Sequence, residues 1–269
     1  MPNPLNNPAD SFDRSARAYD ELVARNREGC RRLINSLPER EFPRLVDVGC
    51  GTGFATLDAI DRRGAREVIC VDPSTGMLDV LGERLAAIPG ITADLRPCEV
   101  MDMRVDAGWA DLVLSTMALH WFTDRPGAIR EMANALAPGG VLGILCPGEG
   151  HDRPTVDIFE ATGDPLLARL AASIVNNQVP VPDLTQWITD AGLTPLDVWS
   201  ETRYRVVTPQ AIADRIEAVA THLWSDLPEG EQADVLERVR ATFAAAADAD
   251  GMYRYRFVKT FAVAERPGG

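Results

Sequence analysis

The segment Leu45-Val46-Asp47-Val48 followed by Gly49-Cys50-Gly51-Thr52-Gly53 constrains this chain more than any other. Its first half is apolar and β-branched, its second half is glycine-rich, and beyond it Ala55, Leu57, Ala59 and Ile60 continue in a helical stretch. That order reads as strand, glycine turn and helix. Such a turn presents unpaired backbone N–H groups and the positive end of a helix, which together make an anionic-cofactor site.

The alternation then repeats. Strands are predicted over 67–71, 92–96, 111–114 and 141–146, with helices over 75–87 and 126–136 and a turn at Pro138-Gly139-Gly140. Short apolar strands alternating with helices specify a doubly wound α/β unit whose parallel sheet is covered on both faces. Beyond Cys146 a loop over 147–154 precedes a predicted helix over 155–174, an extended linker over 179–182 and a helix over 184–191. A strand near 197–206, a helix from Thr208-Pro209 to 223, a helix from Pro228 to about 247 and a strand over 252–265 follow. The last strand places Tyr253, Tyr255 and Phe257 on one parity. These two strands would bring the mostly parallel sheet to seven. At the other end, residues 1–10 are a polar lead, and from Ser11 apolar residues including Tyr19, Leu22, Leu33 and Ile34 fall near helical spacing. The expected organisation is N-terminal helices over 1–40, a cofactor-binding core over 41–150, and helical inserts with the last two strands over 151–269.

With 269 residues, 46% of them hydrophobic, the chain can bury one large core or one core with an elaboration. Forty Asp and Glu against 27 Lys and Arg leave a net charge of −13, which repels phosphate backbones and argues against a nucleic-acid substrate. No apolar run approaches the ~20 residues needed to span a bilayer, and no basic, apolar leader opens the chain, so a cytoplasmic location without membrane contact is expected. The five cysteines are widely spaced without a CxxC, and the three histidines are far apart, so they read as reduced thiols and no metal site is predicted.

A dinucleotide fingerprint read from Gly49 would need its third glycine where Phe54 stands, which disfavours a nicotinamide oxidoreductase. What is present is Asp47-x-Gly49-x-Gly51-x-Gly53. With it come Val71-Asp72-Pro73-Ser74 and Met77, then Glu99-Val100, then Ala110-Asp111-Leu112-Val113-Leu114-Ser115, and finally Leu136-Ala137-Pro138-Gly139-Gly140. In order and spacing these motifs resemble the class I S-adenosylmethionine-dependent methyltransferases, over about residues 11–147, within the group that acts on small molecules. The resemblance implies a Rossmann-like fold with S-adenosyl-L-methionine as cofactor. It implies that Asp47 supports the cofactor's ammonium group and that Gly49, Cys50 and Gly51 bring backbone against its methionine and ribose. Asp72 would accept from the ribose hydroxyls. Met77 would offer a polarisable face to adenine, or belong to the core. Glu99, or Asp102 in a shifted register, would accept from adenine N6 beside the Val100 amide, and the Ser115 carbonyl would accept from the ammonium. Tyr19 resembles part of the N-terminal segment that covers the cofactor in such enzymes.

Methyl transfer from a sulfonium needs alignment more than covalent help, so positioning should carry most of the rate. A phenol or alcohol acceptor would also need a base, and histidine has a suitable pKa. His120, after the fourth strand at the sheet edge where open α/β proteins bind ligands, is the first candidate; His151, after the fifth, is second, and His222 third. The expected reaction is methylation of a small organic acceptor, at oxygen before carbon. Carboxyl methylation of an acyl-carrier-bound substrate, or a cofactor-binding protein of the same fold that does not methylate, are the alternatives. Oligomeric state is not legible.

Overall fold

The computed structural model describes residues 24–220, 223–224 and 227–268. Tyr19 and His222 lie outside the described residues. The chain divides into two compact units: residues 24–149, 179–200 and 259–269 make the first, and residues 150–178 and 201–258 belong to the second.

The first unit is built in the predicted alternation. Helix α1 (Ala24–Ser36) leads to β1 (Arg44–Val48), α2 (Phe54–Arg63), β2 (Glu67–Val71), α3 (Thr75–Ala86) and β3 (Thr92–Arg96). Then come β4 (Ala110–Thr116), α4 (Arg125–Ala135), β5 (Leu136–Pro147) and α7 (Val181–Asp190), the helices α5 (Arg153–Ala161) and α6 (Pro165–Asn176) intervening in the second unit. Strands β6 (Thr194–Val207) and β7 (Tyr253–Glu265) complete a seven-stranded sheet in the order β3-β2-β1-β4-β5-β7-β6. Strands β1 to β5 are mutually parallel where they pair, and β7 runs antiparallel to β5, from Val141 opposite Glu265 to Pro147 opposite Lys259.

Successive strand residues point to opposite faces, and here both faces are apolar. Leu45, Leu112 and Leu114 pack with Leu33, Ile34 and Leu37 and with Ala59, Ile60 and Leu81 on one side. Val46, Val48 and Val113 pack with Ile129 and Met132 of α4 and Leu184 and Ile188 of α7 on the other. Leu33, Ile34 and Leu37 recur at three- and four-residue spacing, so α1 needs only one buried stripe. Arg63, in the last turn of α2, donates from Nε and Nη2 to the Ile34 carbonyl at 3.0 and 2.8 Å, satisfying an end-of-helix acceptor of α1.

Three boundaries differ from the sequence reading. The turn expected at 138–140 is an irregularity inside β5: Leu136 already pairs with Ala110, the register shifts before Leu112, and Gly139 takes φ +74°. The extended linker over 179–182 yields to α7, which starts at Val181 because Pro182 fits a first helical turn, where no N–H is needed. The single helix over 155–174 is two, α5 and α6, parted where Gly163 adopts φ +69° and Asp164 caps α6 by accepting from Leu166 and Leu167 N–H.

The second unit adds α8 (Pro209–Ala220) and α9 (Glu229–Ala245), and residues 201–207 of β6 and 253–258 of β7 belong to it. Thr208 caps α8 as expected, its Oγ1 accepting from Ala211 N–H at 3.2 Å. The unit has its own core, with Phe159, Leu170, Ile212, Trp224, Phe243, Tyr253 and Tyr255 at its centre.

Candidate active site

The parallel strands deliver the predicted residues to one edge of the sheet in the first unit. Gly49, Gly51 and Gly53 take φ values of +69°, +52° and +90°, a region where only glycine is free of strain. A Cβ on Gly49 would overlap the Ala118 side chain, whereas one on Gly51 would meet nothing within 4 Å, so the loop packs tightly at its base and is open at its crest. The loop is tied to β2: Gly49 and Cys50 N–H both donate to the Val71 carbonyl, at 2.7 and 3.2 Å. On the other side, Arg84 of α3 donates to the Thr52 carbonyl at 2.7 Å.

Asp72 follows β2 and is half-buried. Its Oδ2 accepts from Gly51 N–H at 2.8 Å and its Oδ1 from Ser74 N–H at 2.9 Å, which fixes the carboxylate against the loop crest. A carboxylate has about four lone-pair directions, more than these two bonds use. Met77 is buried behind this turn, its N–H donating to the Ser74 hydroxyl. Glu99 is exposed at the start of a 3-10 turn over Val100–Asp102, with Val100 buried and Asp102 exposed.

Asp47 is fully buried in β1. Its Oδ2 accepts from Thr56 Oγ1 at 2.6 Å, while its Oδ1 has no hydrogen-bond partner. Burial pushes the Asp47 carboxyl up to about 7; the negative charge of Asp72 adds to the rise and the Thr56 hydrogen bonds oppose it. Thr56 was not singled out by the sequence reading, although its place in the first turn of the helix below the strand was a usable signal. Ser115, one residue past the Leu114 that pairs with Asp47, is likewise buried, and its Oγ has no partner. An orphaned buried carboxylate oxygen, an open glycine crest and an anchored second carboxylate fit a cationic, hydroxyl-bearing cofactor such as S-adenosylmethionine.

Burial holds three of the thiols in their neutral form. Burial drives Cys50 well above its ordinary pKa, next to Cys70, and lifts Cys30 to about 11 and Cys146 to about 12. Among the described residues no group of three or more His, Cys, Asp or Glu is arranged to hold a metal, and no helix is long and apolar enough to cross a membrane.

The two candidate histidines fall in different units. His120 lies in a 3-10 turn, Leu119–Trp121, just past the Ala118 that packs on Gly49. It is buried, its ring is tilted 4.8 Å from that of Trp121, and its carbonyl accepts from Arg125 Nη2 at 2.9 Å. His151 is buried in the second unit, with Nδ1 2.8 Å from the Val258 carbonyl and Nε2 3.3 Å from the Tyr255 hydroxyl. Its ring meets Tyr255 and Phe257 edge-on. Beside it Asp152, at φ +54° and buried, accepts from Thr155 Oγ1 at 2.6 Å, and Thr155 also lies 3.1 Å from the Tyr253 hydroxyl. Burial lifts the Asp152 carboxyl to about 7, opposed by the charge of Arg215 and by hydrogen bonds from Thr155 and Tyr255.

Comparison with known proteins identifies the family. The family described as methyltransferase domain matches residues 46–144. The trans-aconitate 2-methyltransferase of Azoarcus sp. is 27% identical over 256 residues, covering 92% of this chain and 97% of that one. An uncharacterized methyltransferase of Mycobacterium bovis, Mb3374, is 32% identical over 193 residues, covering 66% of this chain and 74% of that one. Among solved structures, the geranyl diphosphate C-methyltransferase of Streptomyces coelicolor, in complex with S-adenosyl-L-homocysteine, has a similar fold at TM-score 0.53 and 20% identity, over 89% of this chain and 77% of that one. The chain is therefore a member of the class I S-adenosylmethionine-dependent methyltransferases.

Proposed function

We propose that the enzyme methylates a carboxylate oxygen of a small organic acid. The observation that carries this reading is the extent of its likeness to trans-aconitate 2-methyltransferase: 256 aligned residues reach through the second unit instead of stopping at the cofactor-binding sheet.

S-adenosylmethionine supplies a methyl group already activated as a sulfonium. In the proposed site Asp47 Oδ1 and the Ser115 carbonyl receive the cofactor's ammonium, and Gly49, Cys50 and Gly51 line its amino-acid and ribose portion. Asp72, anchored by the Gly51 and Ser74 N–H groups, accepts from the ribose hydroxyls. Glu99 and the Val100 amide read the adenine edge, and Met77 backs the ring.

A carboxylate acceptor is ionised at neutral pH, since its ordinary pKa is near 4, and attacks without a base. The protein's task is then to hold the acceptor oxygen in line and keep water out. His120, next to the loop residue that packs on Gly49, orients the acceptor. His151, with both ring nitrogens engaged by Val258 and Tyr255, positions the tyrosine.

The test is incubation with methyl-labelled S-adenosylmethionine and trans-aconitate, followed by alkaline hydrolysis of the product. Release of the label as methanol identifies an ester. A label that survives alkali on carbon, or transfer only to acceptors lacking a carboxylate, would overturn the reading.

A further inference from the structure

We propose that Lys259 holds a non-reacting carboxylate of the methyl acceptor, an inference that rests on the reading of the acceptor as a small organic acid. Lys259 is the chain's one lysine, against 26 arginines. The two are not interchangeable: arginine ends in a broad planar fork, lysine in a compact ammonium with three donors on a flexible stem. In a chain that otherwise uses arginine, this position takes the cation that fits a narrow space.

The sheet of the first unit brings that ammonium to the edge where the glycine loop lies. Leu114 on β4 is level with Asp47 on β1, Leu145 on β5 with Thr116 on β4, and Lys259 on β7 with Pro147, the last residue of β5. Cross-strand partners share a face, as do residues two apart along a strand. Asp47, Thr116 and Lys259 therefore lie on the face that α1 covers, at the carboxyl ends of the parallel strands. Strands are spaced ~4.8 Å, so the three steps from β1 to β7 span about 14 Å. The Lys259 side chain shortens that gap, because it leans from β7 toward α1 beside Leu145 of β5. What remains is room for a small acid between the sulfonium end of the cofactor and the ammonium.

Gly29, buried within α1, stands against Nζ: a Cβ there would come 2.5 Å from Nζ and 2.9 Å from Leu145 Cδ2. Glycine weakens a helix interior relative to alanine, so the use of this one is the room it leaves for the ammonium. Next along the helix, burial lifts the Cys30 thiol, while a hydrogen bond from Thr116 and then the positive charge of Lys259 pull the other way, which sets the ammonium near both side chains. Two carboxylates also reach that thiol with their charge. Asp47 is taken by the cofactor's ammonium in the proposed site, and Asp58 stands 3.6 Å from Arg31 and 3.9 Å from Arg62. A half-buried ammonium beside a glycine, a thiol, a leucine and a hydroxyl draws an anion, and an acid with more than one carboxylate supplies it while another carboxylate reacts.

The experiment uses the full chain with S-adenosylhomocysteine bound. Wild type, Lys259→Met, Lys259→Arg and Gly29→Ala are titrated calorimetrically with trans-aconitate and with its uncharged trimethyl ester, and methyl transfer from S-adenosylmethionine to trans-aconitate is measured on each. Wild type should bind the acid about tenfold or more tighter than the ester, and Lys259→Met should lose that advantage, as loss of a charge-assisted pair predicts. Its affinity for S-adenosylhomocysteine should stay within about twofold of wild type. Lys259→Arg should fall between, its fork keeping the charge but overfilling the space. Gly29→Ala, which keeps the charge but displaces Nζ, should weaken acid binding about threefold or more. If wild type binds the acid through Lys259 without methylating it, the subsite stands and the reading of the reaction fails. If wild type methylates trans-aconitate and Lys259→Met does so with unchanged KM, the reaction stands and the subsite fails. The subsite is also overturned if wild type binds no acid, if the ester binds as tightly as the acid, or if Lys259→Met loses S-adenosylhomocysteine in parallel, which marks a structural role. Should Lys259→Met misfold, unchanged acid affinity in both Lys259→Arg and Gly29→Ala overturns it.

Discussion

Each of the two units buries a carboxyl group, and the pair make an instructive contrast. Asp47 and Asp152 each accept from a threonine hydroxyl at 2.6 Å, and burial lifts both to about 7. The difference is at the second oxygen. That of Asp152 faces Arg215 and Tyr255 within its own unit, whereas Asp47 Oδ1 has nothing to bond. A buried acid with an internal counter-charge organises the protein; one without a partner is complete only when a ligand brings a cation.

Four outcomes would break or sharpen that contrast. The largest is Gly49→Ala, which forces a side chain into both a left-handed backbone and the Ala118 contact; S-adenosylhomocysteine affinity should fall about 100-fold, measured by calorimetry. Asp72→Ala should raise the same dissociation constant by about tenfold or more, from ~1.5–3 kcal/mol of charge-assisted hydrogen bonding. Unchanged affinity would mean that the anchored carboxylate serves only the loop. For His120→Ala, kcat with a carboxylate acceptor should drop less than about tenfold and the rate should stay flat between pH 6 and 8; a loss of ~100-fold would make it a general base.

The smallest effect separates the two acids directly. At pH 7 a carboxyl with a pKa of about 7 is half protonated, so binding a cationic ligand at Asp47 should release about half a proton. Calorimetry in buffers of different ionisation heat reads this release. It should vanish in Asp47→Asn and persist in Asp152→Asn. The same shift sets a stability trend. Between about pH 4 and 7 the folded Asp47 holds a proton that the unfolded one has lost, so its contribution to the ligand-free fold weakens as pH rises through that window.

The first unit was legible because its chemistry is local. Asp47, Gly49, Gly51 and Asp72 lie within one strand-turn-helix-strand passage, and each meets its partner across a loop or an adjacent strand. Even there Thr56 passed unnoticed, although it stands in the first turn of the helix that follows the Asp47 strand. The second unit joins residues remote in sequence: His151 to Val258, Thr155 to Tyr253, Asp152 to Arg215. Parity along β7 did reveal that Tyr253, Tyr255 and Phe257 share a face, but nothing in the spacing told which helix would lay an arginine on them. The break between α5 and α6 was readable after all, because Gly163-Asp164-Pro165 ends one helix and caps the next.

The antiparallel pairing of β7 with β5 bears on how the protein is made. Val141 must wait for Glu265, and at ribosomal rates of ~5–20 residues per second that delay is on the order of ten seconds. Throughout it β5, apolar on both faces, has its outer row of amides and carbonyls unpaired, an invitation to pair with another nascent chain. Substitutions that weaken β7 should therefore show first as poor yield and aggregation during synthesis, before any loss of activity in the molecules that finish folding.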